Sequence, residues 1–198
     1  ERQEGKKSVA HARILSRIAF NNYAIQTHSE SRDYSEATEQ AHQAMEILTR
    51  ELGEDNFLLV VPKNALAAIK QDKAEREPSK KKKAELYKDA EKLKTEIVEV
   101  LKAKLGELNP ATSMAMGNHG LLYQEMGKFA EAEEMFKNSM KALVAIQGPE
   151  DDRVALIHSR LAQLYRCHLE DFSKAEEHYL LCIKIQEKVF GPAYSQQQ

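Results

Sequence analysis

Apolar residues along this chain recur with a period near four, not two. Between Phe129 and Gly148 they fall at Phe129, Ala132, Met135, Phe136, Met140, Leu143 and Ile146, a spacing that gives one apolar and one polar face to a helix. The opening of that segment repeats. An aromatic stands at Tyr34, Tyr87, Phe129 and Phe172, an alanine three positions on at Ala37, Ala90, Ala132 and Ala175, and a glycine nineteen positions on at Gly53, Gly106, Gly148 and Gly191. A fixed beat of this kind marks internal repeats, and each beat predicts a helix about 28 Å long at about 1.5 Å per residue. The glycine occupies the place of a left-handed C-terminal cap. Pro110, Pro149 and Pro192 follow three of the four helix ends, where proline cannot continue a helix.

A second helical pattern precedes each aromatic. The clearest uses Met114, Met116, Leu121, Leu122, Tyr123 and Met126; the next uses Val154, Ile157, Leu161, Leu164 and Tyr165 and ends in His168-Leu169-Glu170-Asp171. Two others run from about Val9 to Thr27 and from about Leu58 toward Ala74. The chain therefore reads as one all-α domain over 1–198, made of four helical hairpins at about 8–53, 54–106, 107–148 and 149–191. Each hairpin has a helix A and a helix B. One hairpin cannot bury its apolar surface on both sides, so neighbours are expected to stack into a superhelical solenoid. Gly120 with Ala132, and Ala162 with Ala175, let A and B approach, and Tyr123 or Phe136 fills the space around the crossing.

The second hairpin departs from the pattern. Its glycine-to-glycine interval is 53 residues against 42 and 43 in the last two, and Lys94 stands where helix B elsewhere carries a large apolar residue. An insertion is predicted around Arg76 to Lys83. Lys80-Lys81-Lys82-Lys83 follows Pro78-Ser79 and reads as an exposed loop leading into a helix.

Composition narrows the class. Of 198 residues, 42% are hydrophobic and 30% charged, with 8 Gly, 5 Pro and no Trp, a mixture suited to long solvated helices. The net charge of −2 gives no electrostatic reason to expect nucleic acid. Residues 63–104 do hold 13 Lys and Arg against 8 Asp and Glu, but the lysine run lacks interleaved aromatics and reads as solvated surface. No apolar run approaches the roughly 20 residues that span a bilayer, so membrane insertion is not expected. Two cysteines, Cys167 and Cys182, make no disulfide framework and fit a reducing, cytoplasmic setting. The chain starts at Glu1 in place of a methionine, which reads as a fragment of a longer protein.

The segment Gly120-Leu121-Leu122-Tyr123-Gln124-Glu125-Met126-Gly127-Lys128-Phe129-Ala130-Glu131-Ala132 resembles the tetratricopeptide repeat, with its small residue, Tyr, Gly, aromatic and Ala in order. Ala162, Tyr165, Phe172, Ala175 and Tyr179 look like another copy with one extra residue between the helices. The long interval is similar to the repeats of kinesin light chain. Leu105-Gly106-Glu107-Leu108-Asn109 and Asp171-Phe172-Ser173-Lys174-Ala175-Glu176 further resemble the C-terminal repeats of adaptors that bind the amyloid precursor protein tail. These resemblances imply a right-handed solenoid and a non-enzymatic cytoplasmic adaptor. They imply as ligand a protein or peptide tail, of amyloid precursor protein type or a C-terminal degron. Through the full-length protein they imply kinesin and microtubule machinery, or a cullin-2 ubiquitin ligase that reads C-termini. The other function class is a structural scaffold or oligomerisation module.

In this family helix A lines the concave groove. Position by position the resemblance implies Asn118, Leu121 and Gln124 in the third hairpin, Arg160, Gln163 and Arg166 in the fourth, and Arg17 and Phe20 in the first. An Asn amide donates and accepts, so Asn118 can clamp a peptide backbone; a polar residue satisfied by a neighbouring helix is the other reading. The arginines suit a carboxylate, or are solvated surface. No catalytic residue, metal site or cofactor is indicated. His178 and Cys182 are the one His/Cys pair a helical turn apart, and Cys182 falls at a small core position of helix B. Glu133-Glu134 and Glu176-Glu177 read as outer, solvated surface.

Overall fold

The computed structural model describes residues 2–191, with side chains from residue 8; Pro192 lies outside the described residues. Among the described residues there are eight α-helices: α1 (Arg2–Gln26), α2 (Ser35–Leu52), α3 (Val60–Arg76), α4 (Lys80–Leu105), α5 (Pro110–Glu125), α6 (Phe129–Gln147), α7 (Asp152–Leu164) and α8 (Phe172–Phe190). A short 3-10 turn, Phe57–Leu59, precedes α3, and a π-helical turn, Tyr165–Leu169, follows α7. The predicted four A/B hairpins are α1/α2, α3/α4, α5/α6 and α7/α8. The chain divides into two compact units, 1–100 and 101–198. In the first, α1 packs on α2 and both meet α3; in the second, α5 packs on α6, α6 on α7 and α7 on α8.

The repeated residues explain the pairing. Ala37, Ala90, Ala132 and Ala175 are all at most 3% exposed, so every helix B presents its alanine to its partner. In α2 the buried stripe runs Ala37, Ala41, Ala44, Leu48; in α6 it runs Ala132, Phe136, Ser139, Leu143. A Cβ on Gly120 would lie 2.7 Å from the Phe136 ring and 3.3 Å from the Ala132 carbonyl. Phe136, fully buried, therefore fills the crossing.

Four expectations about helix ends and the second hairpin need correction. The helix-ending glycines do take positive φ, 86° to 90° at Gly53, Gly106, Gly148 and Gly191. Their ψ, 160° to 167° at Gly53, Gly148 and Gly191, is not that of a left-handed cap but of a region open essentially to glycine alone. Each N–H still donates to the carbonyl four residues back, as from Gly148 to Val144 at 2.9 Å, and the chain then leaves extended. Second, the insertion is helical. Only Glu77, Pro78 and Ser79 separate α3 from α4, and Lys80–Lys83 form the first turn of a 26-residue helix, because Lys, Glu and Ala are strong helix formers once Pro78 is passed. Third, α1 begins before Val9, at Arg2.

Fourth, Lys94 does not disturb the second hairpin. It sits on the buried stripe of α4 with Ala90, Ile97 and Leu101, itself 6% exposed, and its ammonium donates to Asn64 Oδ1 on α3 at 2.8 Å. Next to Asn64, Lys63 pairs with Glu96 at 2.8 Å. A buried cation is tolerated only when so partnered.

The extra residue of the fourth hairpin is absorbed by the π-turn. In the third hairpin Lys128 N–H donates to Tyr123 carbonyl at 2.8 Å; in the fourth Asp171 N–H reaches one residue further, to Tyr165 carbonyl at 3.1 Å, with Glu170 at φ 53°. The widened turn brings Tyr165 beneath α8. Its hydroxyl donates to Glu133 Oε1 at 2.6 Å, and burial followed by that carboxylate pushes the phenol up to about 12. Glu133, paired also with Lys137, is thus a tie between helices where solvated surface was expected. His178 stacks on Tyr165 with centroids 5.5 Å apart, and its Nδ1 lies 2.8 Å from Nδ1 of His158 on α7. One ring must donate and the other accept. Burial holds both imidazoles below the ordinary value, the two rings opposing each other's charge at His158, while Glu177 acts the other way on both.

Two outcomes are expected for stability. At Gly148 no atom lies within 4 Å of an added Cβ, so Gly148→Ala measures backbone strain alone, about 1–3 kcal/mol. Ala132→Leu overpacks the crossing for a similar loss of about 1–3 kcal/mol. Thermal denaturation reads both, and unchanged melting temperatures would contradict the assigned register. The histidine pair predicts a pH dependence. The unfolded chain binds these protons near pH 6.5 and the folded pair resists them, so its contribution is complete above about pH 6.5 and lost as pH falls below it. His178→Phe should flatten that acid-side decline in melting temperature; a decline as steep as in the parent chain would rule the pair out as its source.

Candidate functional site

Within the second unit a groove of about 210 Å³ opens along α5, α6 and α7, lined by Met114, Gly117, Asn118, Leu156 and Arg160 among others. Its ends are fixed by capping. Asn109 caps α5, its side chain accepting from Ala111 N–H at 2.9 Å with Pro110 at the first helical position. Asp151 caps α7 by accepting from Arg153 N–H at 3.0 Å. The Asp151 carboxylate also takes the Arg153 guanidinium, at 2.8 Å from Nε and 3.0 Å from Nη2. That fork holds Asp151 below the usual carboxylate range and raises Arg153.

The floor is set by two serines. Ser113 Oγ donates to the Ser139 carbonyl at 2.9 Å, and Ser139 Oγ donates to the Ser113 carbonyl at 2.8 Å. This reciprocal pair, fully buried, ties α5 to α6 without bulk. Small side chains there leave the space that Met114 and Leu156, 64% and 49% exposed, border from α5 and α7.

Arg160 is the chemically distinct group in this groove. Burial alone lowers its guanidinium pKa from the ordinary value, and among the described residues no carboxylate lies within ion-pair distance of it. Its Nη1 lies 3.2 Å from the place a Cβ on Gly117 would take. Arg153, the other arginine of the groove, is neutralised by Asp151. The groove thus combines apolar walls, one amide at Asn118 and one unpaired cation.

Of the residues expected at the site, Asn118 and Arg160 come together here. Leu121 does not line the groove, because it packs half-buried on the core around Phe136 and Leu161. Gln124 turns to the hairpin tip, with its amide 3.4 Å from His168 Nε2. Gln163 is exposed on α7, and Arg166 is exposed within the π-turn. Arg17 and Phe20 belong to α1 of the first unit; Arg17 is exposed, and Phe20 is 40% exposed with its ring 6.3 Å from Tyr23. Sequence reasoning missed Ser113, Ser139 and Arg153. Ser139 had a signal, since it stands one repeat before Cys182, at the small position of helix B. Cys182 itself is buried, and burial raises its thiol.

The sequence model of the tetratricopeptide repeat family matches residues 81–144 and 112–188, together more than half of the chain. Amyloid protein-binding protein 2 of Rattus norvegicus is 35% identical over 125 residues, which is 63% of this chain and 21% of that protein, and the Mus musculus protein matches equally. The chain spans about a fifth of the length of these relatives. Among solved structures, BtubC (BKLC) from P. vanneervenii is similar with a TM-score of 0.70 at 19% identity, over 91% of this chain and 65% of that one. The nearly identical TPR-like repeats of a kinesin light chain-like protein of Podosopora anserina give 0.64 at 19% identity, over 89% and 74%. At these identities the likeness concerns the fold. With the aromatic, alanine and glycine beat, the paired helices and the family match in agreement, this chain belongs to the tetratricopeptide repeat family.

Proposed function

We propose that the chain is a non-enzymatic protein-interaction module whose second unit holds an extended peptide or protein tail in the groove between α5 and α7. Asn118 pairs with the ligand's backbone, whatever its side chains. Arg160 takes a carboxylate, either a chain terminus or an acidic side chain, through forked charge-assisted hydrogen bonds. The observation that carries this reading is the half-buried guanidinium without an acid beside it, since a cation withdrawn from water is costly until something pairs with it.

The relatives support the wider role. A protein-binding function is in the name of amyloid protein-binding protein 2, and kinesin light chain-like repeats share the fold. As part of a longer protein, this unit serves a cytoplasmic adaptor in microtubule and kinesin-linked transport, or the substrate receptor of a cullin-2 ubiquitin ligase that reads C-terminal degrons. A scaffold role has its own support in α8, where Leu180 and Phe190 are 60% and 53% exposed. Concentration-dependent mass in light scattering would favour it.

The test is capture of a random peptide library displayed with free C-termini, with amidated C-termini and as internal segments. Preference for free C-termini is expected. Arg160→Glu should weaken capture by roughly 10- to 100-fold, the scale of one lost hydrogen bond to a charged group, and Asn118→Ala less, both at an unchanged melting temperature. Equal capture by both variants and the parent chain, or no capture at all, would remove the groove as the binding site.

A further inference from the structure

Gly117 is the one glycine inside a helix that borders the groove, and no turn or positive φ accounts for it. Glycine in a helix interior costs stability relative to alanine, so its presence at this point needs a reason. The other helical glycine of α5, Gly120, has one in the Phe136 ring. At Gly117 an added Cβ would meet Arg160 Nη1 at 3.2 Å, Ser139 Oγ at 3.4 Å and Ile157 Cδ1 at 3.5 Å. The last two are ordinary contacts. Only the guanidinium would have to give way.

We infer that Gly117 is a positioning residue for ligand selectivity: its bare backbone seats the Arg160 guanidinium against α5, half-withdrawn from water with its remaining edge facing the groove. This rests on the proposed groove and adds to it the reason why the groove prefers a carboxylate to an uncharged end. A guanidinium pressed on the helix loses water from one face and keeps its donors in a fixed direction, so a carboxylate arriving at the open edge meets a preorganised partner in a low-dielectric setting. A methyl group at position 117 pushes the guanidinium a few tenths of an ångström off that seat. Off its seat it aims its donors less squarely at an arriving carboxylate, and the distinction between a charged and a neutral ligand end shrinks.

The signs of two readouts separate this role from a structural one. Gly117→Ala should hold or raise the melting temperature, because alanine favours α5, while reducing the preference for free over amidated C-termini in the same random library by roughly five- to tenfold, the scale of one weakened charge-assisted hydrogen bond. Arg160→Lys, which leaves α5 untouched, should reduce the preference in the parent chain and do nothing further in the Gly117→Ala background, since the seat it vacates is already lost. An unchanged preference in Gly117→Ala, or an equal effect of Arg160→Lys in both backgrounds, overturns the role of Gly117 while leaving the groove in place. If the parent chain shows no preference, or Arg160→Glu leaves it intact, the groove reading and this inference fall together.

Discussion

The second unit depends on how closely α5 and α6 approach at Gly120. With no side chain there, the Phe136 ring lies where a Cβ would otherwise stand, 2.7 Å away. That contact fixes the separation and rotation of the two helices, and the next turn of α6 inherits it. Ser139 follows Phe136 on the buried stripe and, at this separation, exchanges hydrogen bonds with Ser113. A larger residue at 139 would part the helices; two serines satisfy the buried polar groups and keep the groove floor low. The groove is therefore the continuation of a packing contact, and its volume is set by the same choice of small residues that lets the hairpin form.

The same logic places the polar site residues. Helix α7 lies against α6 through Ile157, Leu161 and Leu164, all at most 3% exposed. Once those three point at the core, the helical period leaves Leu156 and Arg160 on the groove side and His158 toward α8. Arg160 is consequently brought into the groove by its apolar neighbours. The acid at the head of α7, Asp151, is engaged by Arg153.

How much of this was legible in the sequence depends on which interactions are periodic. The aromatic, alanine and glycine beat is local and repeated, so the hairpins and the C-terminal ends of their second helices could be read directly, while Phe136 at the Gly120 crossing was one of two aromatics expected there. Asn118 and Arg160, equivalent helix A positions in neighbouring repeats, both border one groove. Leu121 and Arg166 do not border it: Leu121 packs on the core, and Arg166 lies in the π-turn after Leu164. One extra residue between Tyr165 and Phe172 is visible in the sequence, but its accommodation as a widened turn is not.

Buried polar pairs between helices are the least legible, since neither partner announces the other. Lys94 reads as a defect in an apolar stripe until Asn64 is seen 2.8 Å away. His158 and His178 are ordinary singletons in sequence, yet their Nδ1 atoms meet at 2.8 Å. In the first unit Tyr34, a repeat aromatic, donates to Asp72 at 2.8 Å while Arg32 reaches the same carboxylate at 2.9 Å. In each case an apolar scaffold brings two polar groups to one point, where each is costly alone and harmless paired. Such pairs fix which helix neighbours which more narrowly than apolar contact can, because a leucine accepts many neighbours and a buried ammonium very few. The regular beat makes the four hairpins alike; these ties distinguish one hairpin from another, and Arg160 differs from them in having no carboxylate within ion-pair distance among the described residues.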